Sequence, residues 1–270
     1  MYSQAEPAGA WKPEYKNMYP YISFSDINNQ QELDCIYHNL NENYYISDNW
    51  SPEMYDALAY SGFICVSAKD LFNNDYLIPE IQTSYAVLHW TNLHVSRRLR
   101  QHIKKMLLPD NAFFISINND MNAVFEGIKQ YHQKSNWLCN RYITLLKTMH
   151  RQANYKQKII SVELWHQHHL IGGEIGYLTG SIYTSLTGFL DKNNYSHFGK
   201  IQMIALADLL KNSGVSFWNM GHPYMQYKFD LGAREYSRLD FLNLWLKYRN
   251  KKIQGFLDTK KIKLLYYDLI

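Results

Sequence analysis

Cysteine is scarce. Cys35, Cys65 and Cys139 are odd in number and far apart, which excludes a disulfide framework and a cysteine-built metal cluster and fits a reducing compartment. No apolar run reaches the about 18 residues that a spanning helix needs. The opening MYSQAEPAGAWKPEYK lacks the apolar centre of a signal peptide. A soluble cytoplasmic protein is expected. Charge of either sign is not in large excess: 28 Lys+Arg against 24 Asp+Glu gives +4, so a nucleic-acid contact must come from clustered cations rather than bulk charge. Internal repeats and low-complexity tracts are absent as well. With 270 residues the chain can bury a substantial core, as one domain or two.

Aromatic residues, by contrast, are abundant: 16% of the chain, with 23 tyrosines. They suit a core, and they also suit stacking on bases. The chain is organised around residues 159–189, three apolar runs parted by short polar breaks, which is the pattern of a β-meander. Gly172, Gly173 and Gly176 crowd its middle strand and point to close backbone approach or a bulge. Among them stands Glu174, a lone carboxylate with apolar neighbours.

Residues 1–30 read as an extended or partly wrapped arm, and 35–45 show no firm pattern. Ser51, Pro52, Glu53 and Gly62 punctuate a short helix, followed by strands at 63–67 and 85–90. A helix over 94–106 places Arg97, Arg98, Arg100, Lys104 and Lys105 on one side and Val95, Leu99, Ile103 and Met106 on the other. Five cations without an acid are either a solvated face or the seat of an anionic partner. Beyond it come a strand at 113–117, helices at 121–132 and 138–150, the meander, a loop at 190–195, and a helix at 198–212. A strand running into a turn (215–223), a helix at 239–248 capped by Ser237, and a strand at 262–270 complete the order.

That order resembles an α+β, GNAT-like acyltransferase domain. The place where such enzymes carry a glycine-rich pyrophosphate loop reads LDKNNYSHFGK here, poor footing for a CoA phosphate. Five further segments resemble, in the same order, motifs of the leucyl/phenylalanyl-tRNA–protein transferase family. They are Ser51-Pro52-Glu53 with Ala59-Tyr60-Ser61-Gly62-Phe63; Leu93-His94-Val95-Ser96-Arg97; Asn136-Trp137 before a helix ending at His150; Ser161-Val162-Glu163-Leu164-Trp165 with Leu170-Ile171-Gly172-Gly173-Glu174-Ile175-Gly176; and Leu231-Gly232-Ala233 with Arg238 and Phe241.

The resemblance implies a small N-terminal α+β domain (1–95) before a GNAT-like transferase domain (96–270). It implies transfer of an amino acid from aminoacyl-tRNA to the N-terminal amine of a protein or peptide; the sequence does not give the oligomeric state, and a monomer is favoured. Because the donor ester is already activated, no cofactor or metal is required. Trp137 matches a family tryptophan that packs on the aminoacyl-adenosine end, although it reads equally well as a core residue at a helix start. The basic face of 97–105 becomes the tRNA-binding candidate.

Departures from the family matter too. Its "GESMF" motif is Ser185-Leu186-Thr187-Gly188-Phe189 here, and its "DCQ" strand has no counterpart in 217–222. The remaining polar candidates for catalysis are His222, Asn219 and Tyr227. Lys228 and the third-strand residues Tyr183 and Ser185 join Trp137, Gly172, Gly173 and Glu174 as substrate-binding candidates. His222, between Gly221 and Pro223, is alternatively a plain turn residue. Where the family has an apolar pocket residue, this chain has Glu174. A carboxylate there is costly unless a substrate cation pairs it, and guanidinium fits best, so an Arg or Lys donor is expected. Met225-Gln226-Tyr227-Lys228 resembles a segment of arginyl-tRNA–protein transferases. Glu174 could instead be an exposed strand residue. Two other functions stand beside this one: a tRNA- or protein-binding module that has lost catalysis, and, less favoured, an acyl-CoA N-acyltransferase. His168-His169 read as a solvated turn.

Overall fold

In the computed structural model, the described residues are 19–70, 72–107, 112–133, 137–152, 154–253 and 261–265. The expected N-terminal arm lies outside them up to residue 18. Past that point it is not extended. Helices α1 (Phe24–Asn28) and α2 (Gln30–His38) form there, because local caps do what periodicity does not: Ser23 and Asp26 make a reciprocal capping box, and the Asn29 side chain accepts from Gln31 N and Glu32 N. Leu33 and Tyr37 of α2 are buried, and the Tyr37 hydroxyl donates to Ser61 O at 2.7 Å.

Helix α3 (Pro52–Tyr60) starts where the punctuation puts it, with Ser51 Oγ accepting from Met54 N at 3.1 Å. Strands β1 (Ile64–Lys69) and β2 (Asp75–Glu80) then pair as an antiparallel hairpin. The second of these was not read from the sequence, since Pro79 breaks its strand pattern.

Among the described residues the main sheet has eight strands in the order β10-β4-β5-β6-β7-β8-β3-β9. These are β3 (Ser84–Leu88), β4 (Phe113–Ile117), β5 (Gln157–His166), β6 (His169–Thr179), β7 (Ile182–Leu190), β8 (Phe217–Asn219), β9 (Arg234–Ser237) and β10 (Ile262–Lys263). All neighbours are antiparallel except β7 and β8, which run parallel. The meander is β5-β6-β7, as its spacing indicates. The short, largely exposed β9 has no alternation to betray it, and residues 266–270 of the expected last strand lie outside the described part.

The expected division falls at residue 95. β3 belongs to the N-terminal portion in sequence, yet it is hydrogen-bonded between β8 and β9. Tyr85 and Val87 point into one core, Ala86 and Leu88 into the other. The fold is α+β, with one sheet crossing that boundary.

One face of the sheet carries α3, α5 (Met121–Tyr131), α6 (Asn140–Arg151) and α10 (Arg238–Tyr248); the other carries α4 (Arg97–Met106) and α8 (Phe198–Asn212). Two short helices, α7 (Lys192–Tyr195) and α9 (Gln226–Asp230), flank α8 and β8. Helix α4 divides as its periodicity requires: Ile103 is buried, Leu99 and Met106 half-buried, and the five cations exposed. Arg238, at the start of α10, is buried, and among the described residues no carboxylate pairs with it. Its guanidinium instead donates to Gln82 O, Ile36 O, Asn39 O, Glu42 O, Ile81 O and Asn43 Oδ1 at 2.6–3.3 Å.

Candidate functional site

β7 and β8 stay paired only from Ile182↔Phe217 to Thr184↔Asn219, while β7 runs on to Leu190. Beyond Thr184 and Asn219 a notch opens in the sheet. Its β7 wall, Ser185 to Phe189, is half-buried throughout. A bulge sits there: Gly176 pairs with Ser185 and Ile175 with Thr187, which leaves Leu186 as the extra residue. On the β8 side the chain turns away to β3, with Met220 N donating to Ala86 O and Ala86 N to Gly221 O.

Glu174 faces this notch from β6. Its Oε1 accepts from the Tyr183 hydroxyl at 2.5 Å and from Ser185 Oγ at 2.9 Å, and Ser185 Oγ in turn accepts from Trp218 Nε1 at 2.8 Å. Among the described residues no donor reaches Oε2. Burial raises the carboxyl pKa and the two hydroxyl donors only partly offset it. Glu163 on the adjacent strand makes the contrast clear. It too is buried with a raised pKa, but Ser116 Oγ (2.6 Å), Ser161 Oγ (2.5 Å) and the N–H groups of Asn119 and Asp120 (both 3.3 Å) supply both its oxygens. Glu163 is complete as a structural acid at the start of α5. Glu174 has acceptor capacity unmet.

Not every candidate meets here. Gly172 and Gly173 do not leave room for a ligand: a β-carbon on Gly172 would meet Gln202 Oε1 and Leu190, and one on Gly173 would meet Val162 O and Val124. They allow α8 and α5 to pack closely on the sheet. Gly188, opposite Glu174 in register, makes space for that side chain, since its own β-carbon would lie 2.9 Å from Glu174 Cβ. Trp137 is on the other face. It packs on the α3/α6 core, its ring 5.2 Å from that of Tyr142 and its carbonyl accepting from Ser67 Oγ. Glu174 shares the α8 face with Tyr183 and Trp218.

Asn219 is spent internally: it is buried, donates to Thr184 Oγ1 at 3.4 Å and accepts from Gly221 N at 3.0 Å. Tyr227 lies elsewhere, lining a cavity of about 220 Å³ with His94, Ser96, Leu99, Lys200 and Asp230. Lys228 is buried and does not offer its ammonium to a substrate. Nζ donates to Met220 O at 2.5 Å and His222 O at 2.6 Å, holding the β8 wall of the notch. Burial lowers its pKa from 10.5 to about 8. With the folded pKa depressed, this group adds stability as pH rises through about 8 towards 10.5, and that stability is lost again as pH falls. Urea midpoints should therefore rise between pH 8 and about 10, by up to about 1.4 kcal/mol per pH unit from this group, and the rise should flatten in Lys228→Met.

His222 is half-exposed, with Nε2 2.9 and 3.1 Å from the two oxygens of buried Glu80 and its ring stacked at 5.0 Å on Tyr224. Sequence inspection missed Glu80. The signal was the one that exposed Glu174, an isolated acid in an apolar run, Leu77-Ile78-Pro79-Glu80-Ile81. Among the described residues no group of three metal-ligating side chains is assembled, and no helix is long and apolar enough to cross a membrane.

Residues 87–245 match the family model for leucyl/phenylalanyl-tRNA protein transferase. The chain belongs to that family. Leucyl/phenylalanyl-tRNA–protein transferases similar to it include those of Shewanella woodyi (29% identical over 163 residues, 59% of this chain and 63% of the relative) and Shewanella baltica strain OS155 (26% over 173 residues, 63% and 67%). That of Pseudomonas aeruginosa strain UCBPP-PA14 is 25% identical over 174 residues, 64% of this chain and 71% of the relative. The chain thus spans roughly two-thirds of the length of the curated transferases it matches. A solved DUF2156 domain from Agrobacterium fabrum superposes with a TM-score of 0.41 at 10% identity, covering 74% of this chain and 62% of that one, too loose a likeness to bear on the fold. The family-model match begins inside β3. Tyr44, Glu80 and the carbonyls gathered by Arg238 therefore fall before the matched residues.

Proposed function

We propose that this chain moves an aminoacyl group from aminoacyl-tRNA to the N-terminal amine of a protein or peptide in the cytoplasm, and that it prefers a basic side chain, Arg or Lys. Family membership supports the reaction. The ester of the donor is already activated, so positioning, proton removal and oxyanion stabilisation suffice. The parallel pair that separates at the notch is consistent with a GNAT-like domain built mainly from residues 96–270 and borrowing β3.

One observation carries the choice of side chain: Glu174 stands at the notch with Oε2 unmatched and its charged form disfavoured by burial. A carboxylate of that kind gains most from a cation. Guanidinium, with its planar fork, or ammonium would supply one. In this arrangement the aminoacyl-adenosine end rests near Trp137 on one face and the side chain passes into the notch, while Arg97, Arg98, Arg100, Lys104 and Lys105 of α4 take the acceptor-stem phosphates.

The deciding experiment offers Arg-, Lys-, Leu- and Phe-tRNA, each carrying a labelled amino acid, together with peptides of varied N-terminus. Transfer should come from Arg- or Lys-tRNA at least roughly a hundredfold faster in kcat/KM than from Leu- or Phe-tRNA, the scale set by leaving a buried charge unpaired. Transfer only of Leu or Phe overturns the preference. A second reading is a binding module without catalysis, and the internal engagement of Asn219 favours it. Salt-sensitive tRNA binding with no transfer from any donor would establish that reading instead.

A further inference from the structure

His222 is the titratable side chain on the β8 side of the notch, three residues beyond the last β7–β8 pair. Both oxygens of Glu80 face its Nε2, at 2.9 and 3.1 Å. Glu80 is buried at the end of β2, fixed by main-chain pairing with Ile64 and by a bridge to Tyr44. The Tyr44 phenol has its pKa raised by burial and then by the Glu80 charge beside it. The Tyr224 ring covers the imidazole, and the Lys228 ammonium holds the His222 carbonyl. A carboxylate so placed fixes the tautomer with the proton on Nε2. Nδ1 then carries a lone pair, and among the described residues no donor or acceptor engages it.

We infer that Glu80 and His222 form a base pair of residues for the transfer proposed above: His222 Nδ1 takes the proton of the attacking amine, and Glu80 is the positioning residue that orients the ring and stabilises the imidazolium. The inference rests on the transferase reading and adds to it a residue that lies before the stretch matched by the family model. In the step, the neutral acceptor amine attacks the ester carbonyl carbon and the new C–N bond forms. Its surplus proton passes to Nδ1. As the tetrahedral intermediate collapses, the bond to the ribose oxygen breaks, and that oxygen takes the proton back from Nδ1. No further reactant is needed. The dyad stands in for the acid and amide of the family's third-strand and "DCQ" motifs, neither of which this chain retains.

The test compares wild type, His222→Gln and Glu80→Gln in the preferred charged-tRNA assay across pH, with tRNA binding and thermal melts as checks on folding. His222→Gln should lower kcat by roughly a hundredfold or more while the Kd for charged tRNA stays within about twofold. Glu80→Gln should lower kcat less, by roughly tenfold, with KM unchanged, because the ring loses the partner that orients it. Should Glu80→Gln fail to fold, Glu80→Asp, which keeps the carboxylate, should lower kcat with KM unchanged. Wild-type turnover in His222→Gln overturns the inference and leaves the transferase reading intact. A Glu80→Gln that melts earlier yet keeps the wild-type kcat assigns Glu80 to structure alone and overturns its positioning role. Absence of transfer by wild type from every donor overturns both readings together.

Discussion

Replacing Arg238 by alanine is expected to remove about 3–5 kcal/mol of folding stability, the usual cost of breaking a buried, fully engaged charged group. The reason is not a lost ion pair. This guanidinium has five backbone carbonyls and one side-chain amide oxygen as its partners. Truncation would leave those acceptors buried and unpaired, each at a cost of about 1–3 kcal/mol unless water enters. The carbonyls belong to the end of α2, to residues 39–43 and to residues 81–82, so one side chain fastens three separate segments to α10. Lysine should not restore the loss, because a single ammonium cannot span acceptors arranged around a planar fork. Urea unfolding of Arg238→Ala and Arg238→Lys would check this: both midpoints should fall well below wild type. A shift worth under about 1 kcal/mol, within what an ordinary surface substitution produces, would show that the clamp is dispensable.

Changing Glu174 to leucine should reverse donor choice. In wild type an apolar side chain would leave the carboxylate without a cation, whereas in Glu174→Leu an arginyl side chain would arrive with its guanidinium unpaired. Each situation is unfavourable by a few kcal/mol, and the two add, so the ratio of kcat/KM for Arg-tRNA to that for Leu-tRNA should change by roughly a thousandfold to ten-thousandfold. Glu174→Gln keeps the hydrogen-bonding shape but not the charge, and should fall between. The substitution also frees the hydroxyls of Tyr183 and Ser185, which lose their common acceptor. Ser185 keeps the Trp218 indole as a donor, so the notch wall should survive. An unchanged donor ratio in Glu174→Leu would remove Glu174 from specificity.

The meander, the capped helices and the two-sided character of α4 were legible because each is written in neighbouring residues. Ser51, Ser96 and Ser237 all cap as their positions imply. The site was legible only in part. Glu174 announced itself as an acid among apolar residues, but alternation says only that it and Gly173 face opposite ways, not which helices cover each face. Alternation does not show that Trp137 and Glu174, both substrate-binding candidates, lie across the sheet from one another. Glu80 gave the same local signal as Glu174, yet its partner His222 is 142 residues away in sequence. Lys228 and Asn219 looked available for chemistry because they are polar residues close to where the family's "DCQ" strand is missing. Their partners, the carbonyls of Met220 and His222 and the Thr184 hydroxyl, are supplied by the turn out of β8 and by β7. Such pairings become visible only when the strands are in register.

The placement of β3 has a consequence for how the chain is made. This strand emerges early in synthesis, but the two strands that flank it, β8 and β9, follow the entire meander. Until they appear, β3 has neither neighbour, and its alternating apolar residues must wait exposed or in transient company. The long loop closure makes this a slow, late step. The N-terminal segment therefore cannot finish folding as an independent unit on the ribosome. The Glu80–His222 contact and the Arg238 clamp both join residues from before β3 to residues after the meander, so they form in that same closing event. A nascent chain stopped before β8 would hold the meander but neither edge of the notch's far wall, and the sheet would be left with an open side where the last strands belong.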